Sequence, residues 1–172
     1  MISEYLEEVR KALDEVEQQG DQLKKAAREI ADHSSLVLTI GNGGSSSTAQ
    51  HLAQGLCDAG RRAICLTDNS SLLTALSNDY SYEEALAKQV ETFNFQTSLV
   101  VAISASGLSP NILRGVEAIR YPSRRIGLIG FGGGILQYKV GIPIVLSSRD
   151  YGVVEDVHLV ISHLICRLVR NG

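Results

Sequence analysis

Five short runs are apolar nearly throughout: SLVLTI (Ser35 to Ile40), RAICL (Arg62 to Leu66), SLVVAI (Ser98 to Ile103), RIGLI (Arg125 to Ile129) and IPIVL (Ile142 to Leu146). No other feature limits the fold so strongly. A strand with one wet face alternates apolar and polar residues, whereas a run without alternation is buried on both faces, as strands of a parallel sheet are. Parallel neighbours need long crossovers, and helical patterns lie between the runs. Ser81-Tyr82-Glu83-Glu84 has the form of a capping box, and Ser109-Pro110 places a cap and an N1 proline before Asn111-Ile112-Leu113. The last helix, from about Val153 to Val169, is apolar on almost every face and is expected to be largely buried. Strand and helix in alternation predict an α/β fold with a doubly wound five-stranded parallel sheet.

The first 33 residues read differently, as helix alone. Ile2, Leu6, Val9, Leu13 and Val16 recur at four-three spacing, and Leu23, Ala27 and Ile30 continue the register. Gly20-Asp21 is expected to break the segment into a helical pair, with Asp21 as N-cap. So narrow an apolar seam suits packing on another helix, in the same domain or in a second subunit. Residues 1–33 are therefore read as a helical pair set before the domain of residues 34–172, within one structural unit.

Composition removes whole classes. With 44% hydrophobic and 20% charged residues, the 172-residue chain is neither disordered nor short of core material. A net charge of -3 argues against tracking a nucleic-acid backbone. Cys57, Cys65 and Cys166 form no CxxC pair, which excludes a disulfide scaffold or zinc ribbon and fits a reducing compartment. The longest uncharged run, Thr92 to Leu113, is too polar to cross a bilayer. The acidic opening MISEYLEEVRK is unlike a secretion signal, so the expected location is the cytoplasm.

The 16 glycines concentrate in loops after the apolar runs. The first run leads into Gly41-Asn42-Gly43-Gly44-Ser45-Ser46-Ser47-Thr48 and the third into Ser104-Ala105-Ser106-Gly107-Leu108-Ser109, each followed by a helix. Such loops offer free backbone N–H groups and hydroxyls at a helix N-terminus, where an anion is favoured. No lysine completes a nucleotide P-loop, and Ser46 stands where the third glycine of a dinucleotide fingerprint belongs. Two hydroxyl-rich loops meeting at one crevice suit a phosphate monoester. The glycines of Gly130-Phe131-Gly132-Gly133-Gly134 lack hydroxyl neighbours, so this segment reads as a turn.

GNGGSSSTAQH, LTALSNDYSYEEALAKQVE, ISASGLSPNILR and EDVHLVISHL together resemble the sugar-isomerase (SIS) domain proteins, and among them the phosphoheptose isomerases. The resemblance spans nearly the whole chain and implies a sheet of flavodoxin-like strand order, a phosphosugar-binding SIS domain over residues 34–172, and a homotetramer in which residues 1–33 serve as oligomerisation helices. It implies conversion of sedoheptulose 7-phosphate to glycero-manno-heptose 7-phosphate. Carried over position by position, Asn42, Gly43, Gly44 and Ser45 match the first phosphosugar loop. Asn78 and Asp79 match a pair that contacts the sugar. Ser104, Ser106 and Ser109 match the second loop, with Ala105 in place of a usual threonine. His51 and His163 match zinc-binding histidines, and His163 is also implicated in proton transfer.

Two positions depart from the pattern. The glutamate expected four residues after the first histidine, metal ligand and catalytic base, is Gly55 here. Gln54 is adjacent but points about 100° away on a regular helix. The glutamine expected eight residues before the last histidine is Glu155. A zinc set of His51, Glu155 and His163 is therefore expected, with Glu155 and His163 as catalytic candidates and the carboxylate transferred from one helix to another. His158 and His33 are read as structural or surface residues. Gly55 also supports a second reading, a non-catalytic SIS protein that senses sugar phosphates or associates with a replication initiator. A dinucleotide oxidoreductase is a third and poorer fit.

Overall fold

The computed structural model describes residues 1–32, 36–93 and 98–172. After helices α1 (Ile2–Gln18) and α2 (Gly20–Asp32), the chain alternates β1 (Val37–Gly41), α3 (Gly44–Asp58), β2 (Ala63–Cys65), α4 (Ser70–Asp79), α5 (Tyr82–Phe93) and β3 (Leu99–Ser104). It continues through α6 (Pro110–Glu117), β4 (Arg125–Ile129), β5 (Ile142–Val145) and α7 (Tyr151–Asn171). The strands form one parallel sheet of order β2-β1-β3-β4-β5. That is the flavodoxin-like order, whose switch point lies between β1 and β3. Each apolar run became a strand to within two residues; Ser35 and His33 lie outside the described residues.

Both faces of the sheet are covered, which is why the strands lack alternation. Val101, Ile103, Leu128 and Ile144 pack under α1, α2, α3 and α7, while Ile40, Val100 and Ala102 pack under α5 and α6. Leu52, Leu56, Val157 and Ile161 are fully buried on the first side. Burying side chains of this size contributes about 1.5–3 kcal/mol each.

The N-terminal pair breaks where expected, but by another device. α2 starts at Gly20, so Asp21 lies in its first turn and does not cap it. Gln19 makes the corner instead: its Nε2 donates to the Val145 carbonyl at 2.7 Å and its Oε1 accepts from the Val145 N–H at 2.8 Å. A side-chain amide thereby satisfies one residue of the open β5 edge, which would otherwise invite pairing. Glu15 extends this clamp by accepting from both the N–H and the hydroxyl of Ser147.

Candidate active site

β1 and β3 are neighbours in register, with Gly41 beside Ile103, and the chain leaves them to opposite faces of the sheet. Strands about 4.8 Å apart bring the two hydroxyl-rich loops within the length of one sugar. The first loop turns at Gly43, whose φ of 53° suits glycine, and enters α3 at Gly44. Ser45 is buried beneath it, while Ser46 shares a 2.6 Å hydrogen bond with Thr67.

In the second loop, Ser104 Oγ accepts from the Gly107 N–H at 3.1 Å and Ser106 Oγ accepts from the Leu108 N–H at 3.2 Å. Both hydroxyls accept from the loop's own backbone and keep their protons for donation, which is what an anion takes up. Ser109 occupies the N-cap position of α6 but its side chain makes no capping bond. The glycine-rich turn braces this loop: the Gly107 carbonyl accepts from the Ile135 and Leu136 N–H groups, at 3.1 and 3.0 Å. A Cβ at Gly107 would collide with the Gly133 carbonyl. The segment 130–134 is therefore a turn, as read, but one packed against the site. Phe131 within it has φ 53°, a rare conformation for a bulky residue, and its ring meets Tyr151 edge-on at 4.8 Å.

The loops are joined through amides. Asn42 Nδ2 donates to Asn111 Oδ1 at 2.9 Å, and Asn111 Nδ2 donates back to Asn42 Oδ1 at 2.8 Å. The Tyr82 hydroxyl also donates to Asn42 Oδ1, at 2.8 Å. Tyr82 opens α5, beside the exposed Asn78 and Asp79 at the end of α4, where Asn78 Nδ2 donates to Asp79 Oδ1 at 3.0 Å. Sequence reasoning found Asn42 but missed Asn111 and Tyr82. Asn111 was visible only as a helix-start residue, and Tyr82 only inside the capping box, where Ser81 Oγ does accept from the Glu84 N–H.

The expected metal ligands divide into two places. His51 on α3 and His163 on α7 meet with ring centroids 4.8 Å apart, both exposed in a groove of about 700 Å³. Glu155, half-buried, lies against Gly44, where a Cβ would strike its carboxylate. Along a regular helix, the eight residues from Glu155 to His163 span about 12 Å, and the seven from Gly44 to His51 about 10 Å. Zinc ligands must lie about 2.0–2.3 Å from one ion. Among the described residues no three His, Cys, Asp or Glu side chains form a metal-holding group. The set His51, Glu155 and His163 is thus not assembled within one chain, whose own residues do not fit a three-ligand zinc. Gly55 lines the same groove, and a Cβ there would stand 2.8 Å from Cys166 Sγ. The thiol of α7 fills the space from which a glutamate would start.

His158 is structural, as read: it is buried against the sheet and neither ring nitrogen has a well-formed hydrogen bond. Burial pushes its pKa down to about 4, against a smaller upward pull from the Ile129 backbone.

Residues 4–122, which include both loops, match the SIS domain model. The phosphoheptose isomerase of Aliarcobacter butzleri is 32% identical over 99% of this chain and 96% of its own length. That of Helicobacter pylori is 31% identical over 97% and 91%. The structure of a phosphoheptose isomerase from Francisella tularensis superposes with a TM-score of 0.91 at 28% identity, covering 99% of this chain and 97% of that one. That alignment takes in α1, α2 and α7 as well as the sheet, so the chain belongs to the SIS domain family and, within it, groups with the phosphoheptose isomerases.

Proposed function

We propose that the protein is a phosphosugar aldose–ketose isomerase that converts sedoheptulose 7-phosphate to glycero-manno-heptose 7-phosphate. Full-length similarity to phosphoheptose isomerases supports the reaction class. The observation that carries the site is the meeting of two hydroxyl-rich loops at the β1–β3 switch point. The phosphate is taken by Ser104, Ser106 and Ser109, with Asn42, Gly43, Gly44 and Ser45 lining the other side. Asn78 and Asp79 reach the sugar hydroxyls from the end of α4.

Isomerisation removes a proton from C1 of the ketose, passes through an enediol as the hydroxyl proton shifts from O1 to O2, and returns a proton to C2. Of the two proton-transfer candidates, Glu155 and His163, Glu155 is the one that borders the loops of its own chain. Its carboxylate takes the C1 proton and delivers it to C2. The protein acts in the cytoplasm as a homotetramer assembled through its N-terminal helices, with no nucleic-acid or membrane partner; no helix among the described residues is long and apolar enough to cross a membrane.

Incubation with sedoheptulose 7-phosphate, with and without added zinc, tests the reading by the appearance of the aldose. Absence of turnover in both conditions, alongside thermal stabilisation by the sugar phosphate, would replace the enzyme with the non-catalytic binder that Gly55 suggests.

A further inference from the structure

We propose that Asn111 and Tyr82 are positioning residues that hold the phosphosugar cleft together through Asn42; this rests on the isomerase reading of the same site. The reciprocal pair between Asn42 and Asn111 spans the switch point, joining the loop after β1 to the first turn of α6 after β3. The Tyr82 hydroxyl adds a third segment, the α4–α5 joint that carries Asn78 and Asp79. Three stretches far apart in sequence, each assigned to substrate on other grounds, therefore meet at one side-chain amide.

Valence counting gives this junction its role. A side-chain amide offers two acceptor lone pairs and two donor hydrogens. Asn42 Oδ1 accepts from both Asn111 and Tyr82, and Nδ2 gives one hydrogen to Asn111. One N–H is all that the Asn42 side-chain amide has left for a ligand. Asn42 is thus mainly a strut, and its partners fix the orientation of that last donor. Asn111 is 3% exposed, so its amide must stay paired, whereas Tyr82 is 51% exposed and its ring needs no pairing to remain where it is. Tyr82 is the arm that can let go without unfolding the core.

Hydrogen exchange in the free protein and steady-state kinetics test this together, using Tyr82→Phe and Asn111→Ala. Tyr82→Phe is expected to speed exchange in both loops at once, 41–46 and 104–109, by about threefold to tenfold, the worth of one neutral hydrogen bond, and Asn111→Ala, which removes two, by at least as much. KM for sedoheptulose 7-phosphate should rise by a similar factor with kcat held within about twofold, because ordering for binding is lost and the proton-transfer group is not. Tyr82→Phe combined with Asn42→Ala should be no worse than Asn42→Ala alone. Exchange confined to the substituted segment, an unchanged KM, or effects that multiply would overturn the junction. If Asn111→Ala does not fold, Tyr82→Phe removes a single hydroxyl and carries the test. A wild-type protein without turnover would count against the isomerase, and the exchange result would then decide the junction alone.

Discussion

At the scale of single residues, the carboxylate at position 155 and the glycine at position 55 make opposite predictions. Glu155→Gln keeps the shape against Gly44 and removes the base, so kcat should fall by about 10²- to 10⁴-fold while binding of the sugar phosphate persists. Zinc content should not change, because the carboxylate lies at the loop end of α7, well away from the histidine pair. Elemental analysis after gel filtration checks this, and a loss of metal in Glu155→Gln would return the residue to the ligand set. Gly55→Glu alone must displace Cys166, whose Sγ stands 2.8 Å from the added Cβ. Paired with Cys166→Ala it places a carboxylate one turn from His51 on the same helix face. Zinc affinity in chelator competition should then rise by more than the roughly tenfold that an indirect neighbour of a ligand is worth. The sequence already held part of this answer. Eight residues put about 12 Å of helix between Glu155 and His163 of one chain, too far to share an ion, whereas Cys166 facing Gly55 follows from how α3 and α7 cross, which no local pattern encodes.

At the scale of elements, α7 shows what patterning reads and what it leaves out. Its apolar character predicted burial, and Val153, Val154, Val157, Ile161 and Ile165 are indeed in the core. Leu159, Val160 and Leu168 are instead 37–39% exposed, because the sheet and α1–α3 cover only part of the helix. The strands were legible because burial on both faces imprints directly on composition; the clamp of Gln19 on β5 was not, since it joins residues 126 apart. The buried His158 sets a pH limit on this helix. Its pKa is about 4 folded against an ordinary 6.5, so the folded state holds the ring neutral where the unfolded chain would protonate it. Stability is fully present above about pH 6.5 and is lost as pH falls through 4, by about 3 kcal/mol in all. Urea unfolding at pH 7, 5 and 4 should show this decline. His158→Leu should flatten it while changing stability at pH 7 by less than about 1.5 kcal/mol, the usual cost of a volume-conserving core swap. An equally steep decline in the variant would assign the acid sensitivity elsewhere.

At the scale of the whole molecule, the α1 seam divides between a buried and an exposed edge. Tyr5, Ala12 and Val16 face the chain's own core, with Tyr5 donating from its hydroxyl to Asp156 on α7 at 2.6 Å. That bond and the neighbouring carboxylate push the Tyr5 pKa up to about 12, so the phenol stays protonated and the contact intact through the neutral range. Ile2, Leu6 and Leu13 lie on the other edge of the same stripe, 80%, 45% and 36% exposed. A seam half used within the chain leaves the other half exposed, the face through which the proposed tetramer would assemble, and closed symmetry is the usual outcome for such assemblies. Leu6→Glu with Leu13→Glu should therefore split the proposed tetramer into smaller species by light scattering. Folding should be nearly unaffected, because exposed positions of this kind change stability by only about 0.5 kcal/mol each. A double variant of unchanged mass would place the subunit contact elsewhere. One that dissociates and keeps its full turnover would show that each cleft, joined at Asn42 and faced by Glu155 of the same chain, works alone.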